Sequence, residues 1–227
     1  MFSITLAKKH WVLSRSDTLN KYEEKQTDFD GVILNKLYDT AMAIRSNNHD
    51  NTNNKNLFSS INQKEAVVEA AVHIAYILTE LKDKVLIVNL DSSSTETVEK
   101  YIHSNAKPNL FTTLEHSIFL SDAINHTKYE RLDIIHVEGL EKQELLKRFS
   151  QHNLLSKVSH LKSYYNHIFL IGPEFQSMEN YGAILELADT AVTVISSKKN
   201  DRHELNHYLQ KINLFNVKSF GILRKAD

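Results

Sequence analysis

Five short runs of mostly β-branched apolar residues recur along the chain, each after a more polar stretch. Within each run the apolar residues are consecutive, which is typical of strands covered on both faces in a parallel sheet. NLFSS, residues 56–60, would add a sixth strand. The five runs are KVLIVNLD (84–91), RLDIIHVE (131–138), HIFLIG (167–172), DTAVTVISS (189–197) and VKSFGILR (217–224).

Helical patterns separate these runs. The clearest one covers residues 63–82, where Ala66, Ala70, Ile74 and Ile77 recur at helical spacing and are predicted to face the sheet. Alternation of strands and helices predicts an α/β fold, a three-layer sandwich around a mostly parallel sheet, in which ligands bind at the C-terminal ends of the strands. Further helices are predicted near residues 94–105, 141–163, 176–187 and 202–213.

The first 55 residues differ in pattern from the rest. One helix is predicted at about residues 30–45, and the Asn-rich stretch that follows it indicates a flexible connector. The sequence therefore predicts an N-terminal segment, 1–55, and an α/β domain, 56–227. The only tryptophan, Trp11, makes residues 1–20 a candidate surface for holding a partner. An equally weighted alternative is that this segment covers a sheet edge or its own core.

Charge and cysteine content exclude several classes of function. A net charge of -1 provides no general attraction to nucleic acid or to an anionic membrane. The absence of cysteine excludes disulfides, Cys-ligated zinc and thiol catalysis. The N-terminus does not match a secretory signal, and the longest apolar segment is shorter than the roughly 20 residues that a membrane-spanning helix needs. A cytoplasmic protein is expected.

The motifs along the chain follow a recognisable order. Without gaps, residues 59–91 align with the pattern TSxxPGEGKST, helix, VLLIDAD, with Ser60 in its serine position. YNHIFLIGPE (165–174) lies over FDYIIIDTPP, LAD recurs at 187–189, and VKSFGILR (217–224) resembles a final VLGVVLN strand. This order resembles the MinD-like P-loop proteins, specifically the cytoplasmic bacterial tyrosine kinases of capsule and exopolysaccharide synthesis. The resemblance implies a P-loop NTPase-like fold.

The phosphate-binding loop implied by this resemblance lacks its functional side chains. Such a loop needs glycines that let backbone N–H groups surround a phosphate, a lysine for its charge and a hydroxyl for magnesium. A carboxylate in the hydroxyl position would repel the phosphates, and valine in the lysine position could not neutralise them. The alignment places Lys64 and Ala66 on the glycines, Val67 on the lysine, Val68 and Glu69 on the hydroxyls, and Asn62 on the extra lysine of the MinD branch.

The magnesium-binding positions implied by the resemblance are also altered. Asn89 replaces the first aspartate after the second strand, Asp91 keeps the second, and Ile171 occupies the place of the Walker B aspartate. A single carboxylate does not make a dedicated magnesium site. Lys64 is expected to be a solvated surface lysine more often than an anion contact at a helix N-terminus. Asp91 is expected to cap the next helix.

One short motif indicates different chemistry. HELNH matches the HExxH pattern, in which His203 and His207 would bind zinc from one helical face with Glu204 as the base. A third ligand on another element would be needed, and a solvent-facing helix explains the match better. Single buried, hydrogen-bonded side chains are expected at His73, His136 and His167.

Together these observations predict a pseudoenzyme: a tyrosine-kinase-like protein with a decayed nucleotide site that binds no cofactor and acts by protein-protein contact. The resemblance implies exopolysaccharide or capsule biosynthesis or export, with a membrane-bound polysaccharide co-polymerase or another exopolysaccharide-synthesis protein as partner. Such a partner would place the chain at the inner face of the plasma membrane. Self-association is a further expectation, and no nucleic acid partner is expected. Two alternatives stay open: a residual nucleotide-binding, MinD-like positioning ATPase, and a zinc hydrolase.

Overall fold

A single sheet with helices on both faces organises the chain, as expected for a three-layer α/β sandwich. Within the part of the chain that the structure describes, no helix is both long and apolar enough to cross a membrane. The computed structural model describes residues 2–5, 29–48, 54–61, 64–104, 109–116, 119–137, 142–175, 178–196 and 202–225.

Eight strands are present among the described residues, and each predicted strand is found within about two residues of its expected bounds. The strands are β1 (Phe2–Thr5), β2 (Lys55–Ser60), β3 (Val85–Asn89), β4 (Asn125–His126), β5 (Leu132–His136), β6 (His167–Ile171), β7 (Thr190–Ser196) and β8 (Lys218–Lys225). Strands β2, β3, β5 and β6 are buried along their whole length, which explains their continuous apolar runs, whereas β8 is partly exposed.

The strand order is β1-β8-β7-β2-β6-β3-β5-β4. The six central strands are parallel, whereas β1 and β4 pair antiparallel at the two edges and were not predicted. Strand β1 covers the edge of β8, in agreement with the sheet-edge alternative for the N-terminal segment. Trp11 lies outside the described residues, so a role for it in binding stays a prediction.

The helices connect the strands and cover the sheet on both sides. Each predicted helix is found, although the stretch expected to form one helix over 141–163 is divided. The helices are α1 (Gly31–Asn47), α2 (Lys64–Glu80), α3 (Thr95–Ile102), α4 (Leu110–His116), α5 (Lys142–Gln151), α6 (Leu154–His160), α7 (Met178–Glu186) and α8 (Arg202–Leu214), with short 3-10 turns at Ser92–Ser94, Leu120–Ala123 and Leu161–Ser163.

The division between α5 and α6 has a local cause. Asn153 has φ 48 and ψ 48, the left-handed conformation that asparagine tolerates better than most residues and that ends a right-handed helix. The chain then turns, so that Leu154 and Val158 can reach the core. The apolar pattern on both sides of Asn153 is helical, which is why the sequence predicts one helix here.

Helix α2 is the central helix of one face of the sheet. Ala66, Ala70, Ile74 and Ile77 are each at most 1% exposed, which confirms that this row faces the core. Leu57 and Phe58 of β2 alternate between the two faces and join separate apolar clusters above and below the sheet. The sheet separates the two clusters, and β2 contributes side chains to both of them. Strand β2 is therefore fixed by apolar packing on both faces.

Helix α1 packs on α2 and contributes to the same apolar cluster. Its N-terminus is capped by Asp30, whose carboxylate accepts a hydrogen bond from the backbone N–H of Val32 at 2.7 Å. At the other end, the Arg45 guanidinium lies 2.9 Å from the Asp83 carboxylate. The division between 1–55 and 56–227 stays a prediction, but Leu34, Leu37 and Ile44 of α1 are each at most 1% exposed.

Candidate functional site

The C-terminal edge of the sheet brings together the predicted site positions. Strand β6 lies between β2 and β3, so that Ile171 is the register partner of both Phe58 and Asn89. Helix α2 begins four residues after Ser60, the last residue of β2. This is the edge at which parallel α/β sheets bind ligands. Asn62 and the side chain of Lys64 are outside what the structure describes.

The first turns of α2 are apolar and buried. Ala66, Val67 and Val68 are each 1% exposed and belong to the cluster shared with α1. Val67 occupies the position that the resemblance assigns to the catalytic lysine. Its side chain instead packs in the core, because the apolar pattern of α2 extends to the start of the helix. Glu65 is exposed and is the acidic residue of the first turn.

Glu69, at the second of the two aligned hydroxyl positions, belongs to an ion pair. The ammonium nitrogen of Lys225, the last residue of β8, lies 3.0 Å from a carboxylate oxygen of Glu69. The two side chains are 37% and 18% exposed, so the pair is only partly screened by solvent. Glu69 therefore has its counter-charge within the protein. Sequence reasoning missed this pair because nothing local in the sequence connects two residues that are 156 positions apart.

Asn89 and Asp91 act as local caps after β3. The Asn89 side-chain oxygen accepts hydrogen bonds from the Asp91 backbone N–H at 3.2 Å and the Ser94 hydroxyl at 2.9 Å. The Asp91 carboxylate accepts from the backbone N–H of Ser93 at 3.1 Å and from the Ser93 hydroxyl. Asp91 therefore caps the short 3-10 turn Ser92–Ser94, whereas the next α-helix, α3, which it was predicted to cap, has Ser94 at its N-cap. Both side chains are buried.

A histidine-carboxylate pair lies beside these caps. His136, the register partner of Asn89 on β5, has its Nε2 atom 2.6 Å from a carboxylate oxygen of Glu99 on α3. Ser104 donates to Glu99 from its backbone N–H at 2.8 Å and its hydroxyl at 2.6 Å. Burial favours a raised pKa for Glu99, but the hydrogen bonds from His136 and Ser104 outweigh it and lower the pKa to about 2.

The three histidines expected within apolar elements are buried and hydrogen-bonded, as predicted. His73 Nδ1 donates to the Glu69 carbonyl at 2.7 Å. Burial lowers the pKa of His73, which keeps the ring neutral. The rings of Phe29 and Tyr101 contact it edge-on, with centroids at 5.0 Å and 5.2 Å. His73 is therefore a packed core residue.

Two tyrosines fill the opposite side of the sheet near the end of β2. The hydroxyl of Tyr208 on α8 hydrogen-bonds with the hydroxyl of Ser59, and burial raises the pKa of Tyr208 to about 12. The Tyr181 hydroxyl donates to the Pro173 carbonyl at 2.8 Å. A Cβ atom on Gly172 would lie 2.7 Å from the Tyr181 hydroxyl oxygen, so the end of β6 is closely packed.

The residues at the aligned positions do not fit a magnesium nucleotide. Val67 is part of the core, and the Glu69 carboxylate is already paired, so neither provides a positive charge for phosphate. Ile171 is buried and 1% exposed at the aligned Walker B position, where a magnesium-orienting carboxylate is required. The carboxylate of Asp91 is engaged in capping.

The HELNH motif lies at the start of α8. His203, Glu204 and His207 are all exposed, in agreement with a solvent-facing helix. The His207 ring contacts the ring of Phe175, with centroids 5.9 Å apart. Among the described residues, no group of three or more His, Asp or Glu side chains is arranged to hold a metal ion.

Comparisons with solved structures identify proteins of the same fold. The BceF tyrosine kinase domain superposes with a TM-score of 0.72 at 16% identity, over 85% of this chain and 77% of that one. The kinase domain of the Escherichia coli tyrosine kinase ETK gives 0.70 at 15% identity, over 85% and 75%. The Pyrococcus furiosus cell division ATPase MinD gives 0.55 at 18% identity, over 75% and 71%. These likenesses confirm the P-loop NTPase-like fold.

Sequence comparisons agree with this fold. A search of curated protein sequences found no match. The family model described as AAA domain matches residues 58–222, from the second half of β2 to the middle of β8. Because this match covers most of the chain, the protein belongs to the AAA domain family.

Proposed function

We propose that this protein is a catalytically inactive, tyrosine-kinase-like member of its family that acts by binding other proteins. The observation that carries the proposal is the set of residues at the start of α2 that align with the phosphate-binding loop. A buried valine, Val67, stands where the lysine would be, and the two hydroxyl positions that follow it hold the buried Val68 and the Glu69 of the Glu69–Lys225 ion pair. A nucleoside triphosphate would find no lysine at the aligned position, because Val67 is buried, and the nearby Lys225 ammonium is already paired with Glu69.

The setting proposed for this role is the bacterial cytoplasm, at the inner face of the plasma membrane, in exopolysaccharide or capsule biosynthesis or export. Support comes from the fold shared with the BceF and ETK tyrosine kinase domains. The partner would be a membrane-bound polysaccharide co-polymerase or another exopolysaccharide-synthesis protein. A chain without bound nucleotide has to hold its partner by permanent surfaces, since no hydrolysis step changes its shape.

Isothermal titration with ATP or ADP and magnesium tests the loss of the nucleotide site. We expect no heat of binding at micromolar nucleotide, because Lys64 and Ala66 replace the aligned glycines and Val67 replaces the aligned lysine. The cell division ATPase MinD from Pyrococcus furiosus, titrated under the same conditions, provides the positive control. Micromolar affinity of this chain for nucleotide would contradict the proposal and would favour the alternative of a residual nucleotide-binding, MinD-like ATPase.

Co-purification with a co-polymerase from a bacterium that encodes this chain tests the binding role. We expect a complex that forms equally well with and without ATP and magnesium. A complex that requires nucleotide would contradict the proposal, and so would the absence of binding to every exopolysaccharide-synthesis protein of that bacterium. Circular dichroism of the purified chain should accompany both measurements, so that misfolded protein is not counted as a negative result.

A further inference from the structure

The loops that lead into the parallel strands carry a surplus of basic residues. They lie at the N-terminal ends of the strands, at the edge of the sheet opposite the candidate site, and we call them the basic edge: residues 81–84, 127–131, 161–166, 187–189 and 215–218. Three acidic residues and twice as many basic ones occur in these loops, whereas the whole chain has 27 Lys and Arg against 28 Asp and Glu. The basic residues are Lys82, Lys84, Lys128, Arg131, Lys162 and Lys218.

Neighbouring elements neutralise two of the three carboxylates at this edge. The guanidinium of Arg45, at the end of α1, lies 2.9 Å from the Asp83 carboxylate. The Asp189 carboxylate faces two ammonium groups, that of Lys162 at 3.0 Å and that of Lys55 at 3.6 Å. These two carboxylates are therefore already compensated and do not offset the charge of the other lysines.

Lysines provide most of the remaining positive charge. Among the described residues, no ion pair involves Lys82, Lys84 or Lys218. Lys82 and Lys218 are exposed, and the Lys84 ammonium lies 4.6 Å from the centroid of the Tyr165 ring. The last turns of the helices that lead into the basic edge leave the surplus unchanged, because they add two lysines and two glutamates: Lys157, Lys211, Glu80 and Glu186.

Hydrogen bonds between the loops make the basic edge one continuous surface. The Arg131 guanidinium donates to the Lys82 carbonyl at 3.4 Å, which connects the loops before β5 and β3. The Lys84 backbone N–H donates to the Asn166 side-chain oxygen at 2.8 Å, which connects the loops before β3 and β6. The ion pair of Asp189 with Lys162 connects the loops before β6 and β7. Six parallel strands end at this edge, so it is about 24 Å wide.

Two large apolar side chains project into solvent at the same edge. Tyr164, in the loop before β6, is 69% exposed. Leu214, the last residue of α8, is 70% exposed and lies next to the loop before β8. Exposed tyrosine and leucine side chains beside lysines are typical of surfaces that bind at the headgroup level of a membrane.

The kind of basic residue favours lipid headgroups over nucleic acid. Arginine is the residue that recognises bases and phosphates with two parallel hydrogen bonds. Both arginines at this edge already contact carboxylates: Arg45 pairs with Asp83, and Arg131 lies 3.5 Å from Glu130. The lysines, which are flexible point charges, suit a plane of mobile anionic headgroups.

We propose that the basic edge binds the anionic surface of a phospholipid membrane, with Tyr164 and Leu214 entering the interface. The net charge of the chain gives no such attraction, because the fold separates the basic loops from the acidic residues elsewhere. The binding surface lies opposite the candidate nucleotide edge, so the inference does not rest on the loss of the nucleotide site. It also requires no protein partner, so a test with the purified chain is independent of the function proposed above.

Sedimentation of the purified full chain with vesicles tests this binding. Vesicles of phosphatidylglycerol and phosphatidylcholine in equal parts are compared with vesicles of phosphatidylcholine alone. We expect binding only to the anionic vesicles, with a bound fraction that falls as salt is raised from about 0.01 M to about 1 M, since salt screens the attraction. Equal binding to both kinds of vesicle, or binding to neither, would overturn the proposal.

A pair of matched double variants locates the surface. Lys82→Gln/Lys218→Gln should weaken binding to the anionic vesicles about 25-fold, because each basic residue near such a surface contributes about five-fold. The control Lys36→Gln/Lys147→Gln removes the same charge from α1 and α5 and should change binding less than about two-fold. An equal loss in the two double variants, with both folded by circular dichroism, would overturn the assignment to the basic edge.

The apolar side chains and a DNA duplex complete the test. Tyr164→Ser/Leu214→Ser should weaken vesicle binding several-fold while its dependence on salt stays the same, because the lysines are retained. Unchanged vesicle binding would show that these side chains do not enter the interface. Tighter binding of the parent chain to a random DNA duplex than to anionic vesicles would make the surface a nucleic-acid site and overturn the lipid proposal.

Discussion

Glu69 and Lys225 join the first turns of α2 to the last residue of β8 through a 3.0 Å contact at the C-terminal edge of the sheet. The pair positions a negative charge where the aligned family pattern has a hydroxyl, and it supplies the neutralising charge from a different element. An enzyme that binds phosphate needs free positive charge at this edge. Here the charge is used within the protein.

Removal of the lysine should destabilise the protein modestly. Lys225→Met leaves Glu69 unpaired, and we expect a loss of at most about 1 kcal/mol in the free energy of unfolding, because both side chains retain contact with solvent. Urea unfolding of this variant, of Glu69→Gln and of the double variant gives the coupling energy. The neighbouring Arg224→Met, at an exposed position, is the control. A coupling energy of zero would show that the contact is not stabilising.

Reintroduction of the P-loop lysine should disrupt the core. Val67→Lys buries an ammonium group at a position that is 1% exposed, and we expect a loss of about 3 kcal/mol or more in unfolding free energy. Glu65→Lys, at an exposed position on the same helix, should cost less than about 1 kcal/mol. Thermal unfolding compares the two. If Val67→Lys were stable and acquired ATP binding, residue 67 would face a phosphate site.

The end of β6 should not tolerate a larger residue. In Gly172→Ala, the added Cβ would lie 2.7 Å from the Tyr181 hydroxyl oxygen and 3.0 Å from Leu57 Cδ1. Tyr181 cannot easily move because its hydroxyl is bonded to the Pro173 carbonyl, so we expect a loss of about 1–3 kcal/mol. Gly31→Ala, with nothing within 4 Å of the new Cβ, should be neutral or stabilising. Urea midpoints of the two variants test the difference.

The Glu99 carboxylate should make stability depend on acid pH. Its pKa falls from 4.5 to about 2 on folding, so its contribution is complete above pH 4.5 and is lost as the pH falls from 4.5 towards 2. Glu99→Gln should therefore be less stable than the parent at pH 7, by about 1–2 kcal/mol after allowance for solvent screening. The difference should shrink at pH 3.5. Urea unfolding at both pH values measures it.

Glu96→Gln is the matched control, because Glu96 is an exposed carboxylate on the same helix. Its stability relative to the parent should change by less than about 0.5 kcal/mol at either pH. A Glu99→Gln penalty that stayed constant from pH 7 to pH 3.5 would show that the lost packing matters and the charge does not.

Much of the fold could be predicted because the relevant signals are local. Continuous apolar runs predicted the central strands, and the spacing of Ala66, Ala70, Ile74 and Ile77 predicted the buried face of α2. The capping role of Asp91 followed from its place just after a strand. Each of these features depends on residues that are close together in the sequence. The sequence alone is therefore sufficient to predict them.

The sequence by itself thus determined the alternation of strands and helices, the apolar start of α2 and the family pattern that these elements resemble. Only the tertiary structure decided which strands are neighbours, that β1 covers the edge of β8, and that Lys225 neutralises Glu69. It also brought His136 to Glu99. Each of these contacts joins residues far apart in the chain, and such contacts form only after the crossovers of the sheet have placed both elements at the same edge.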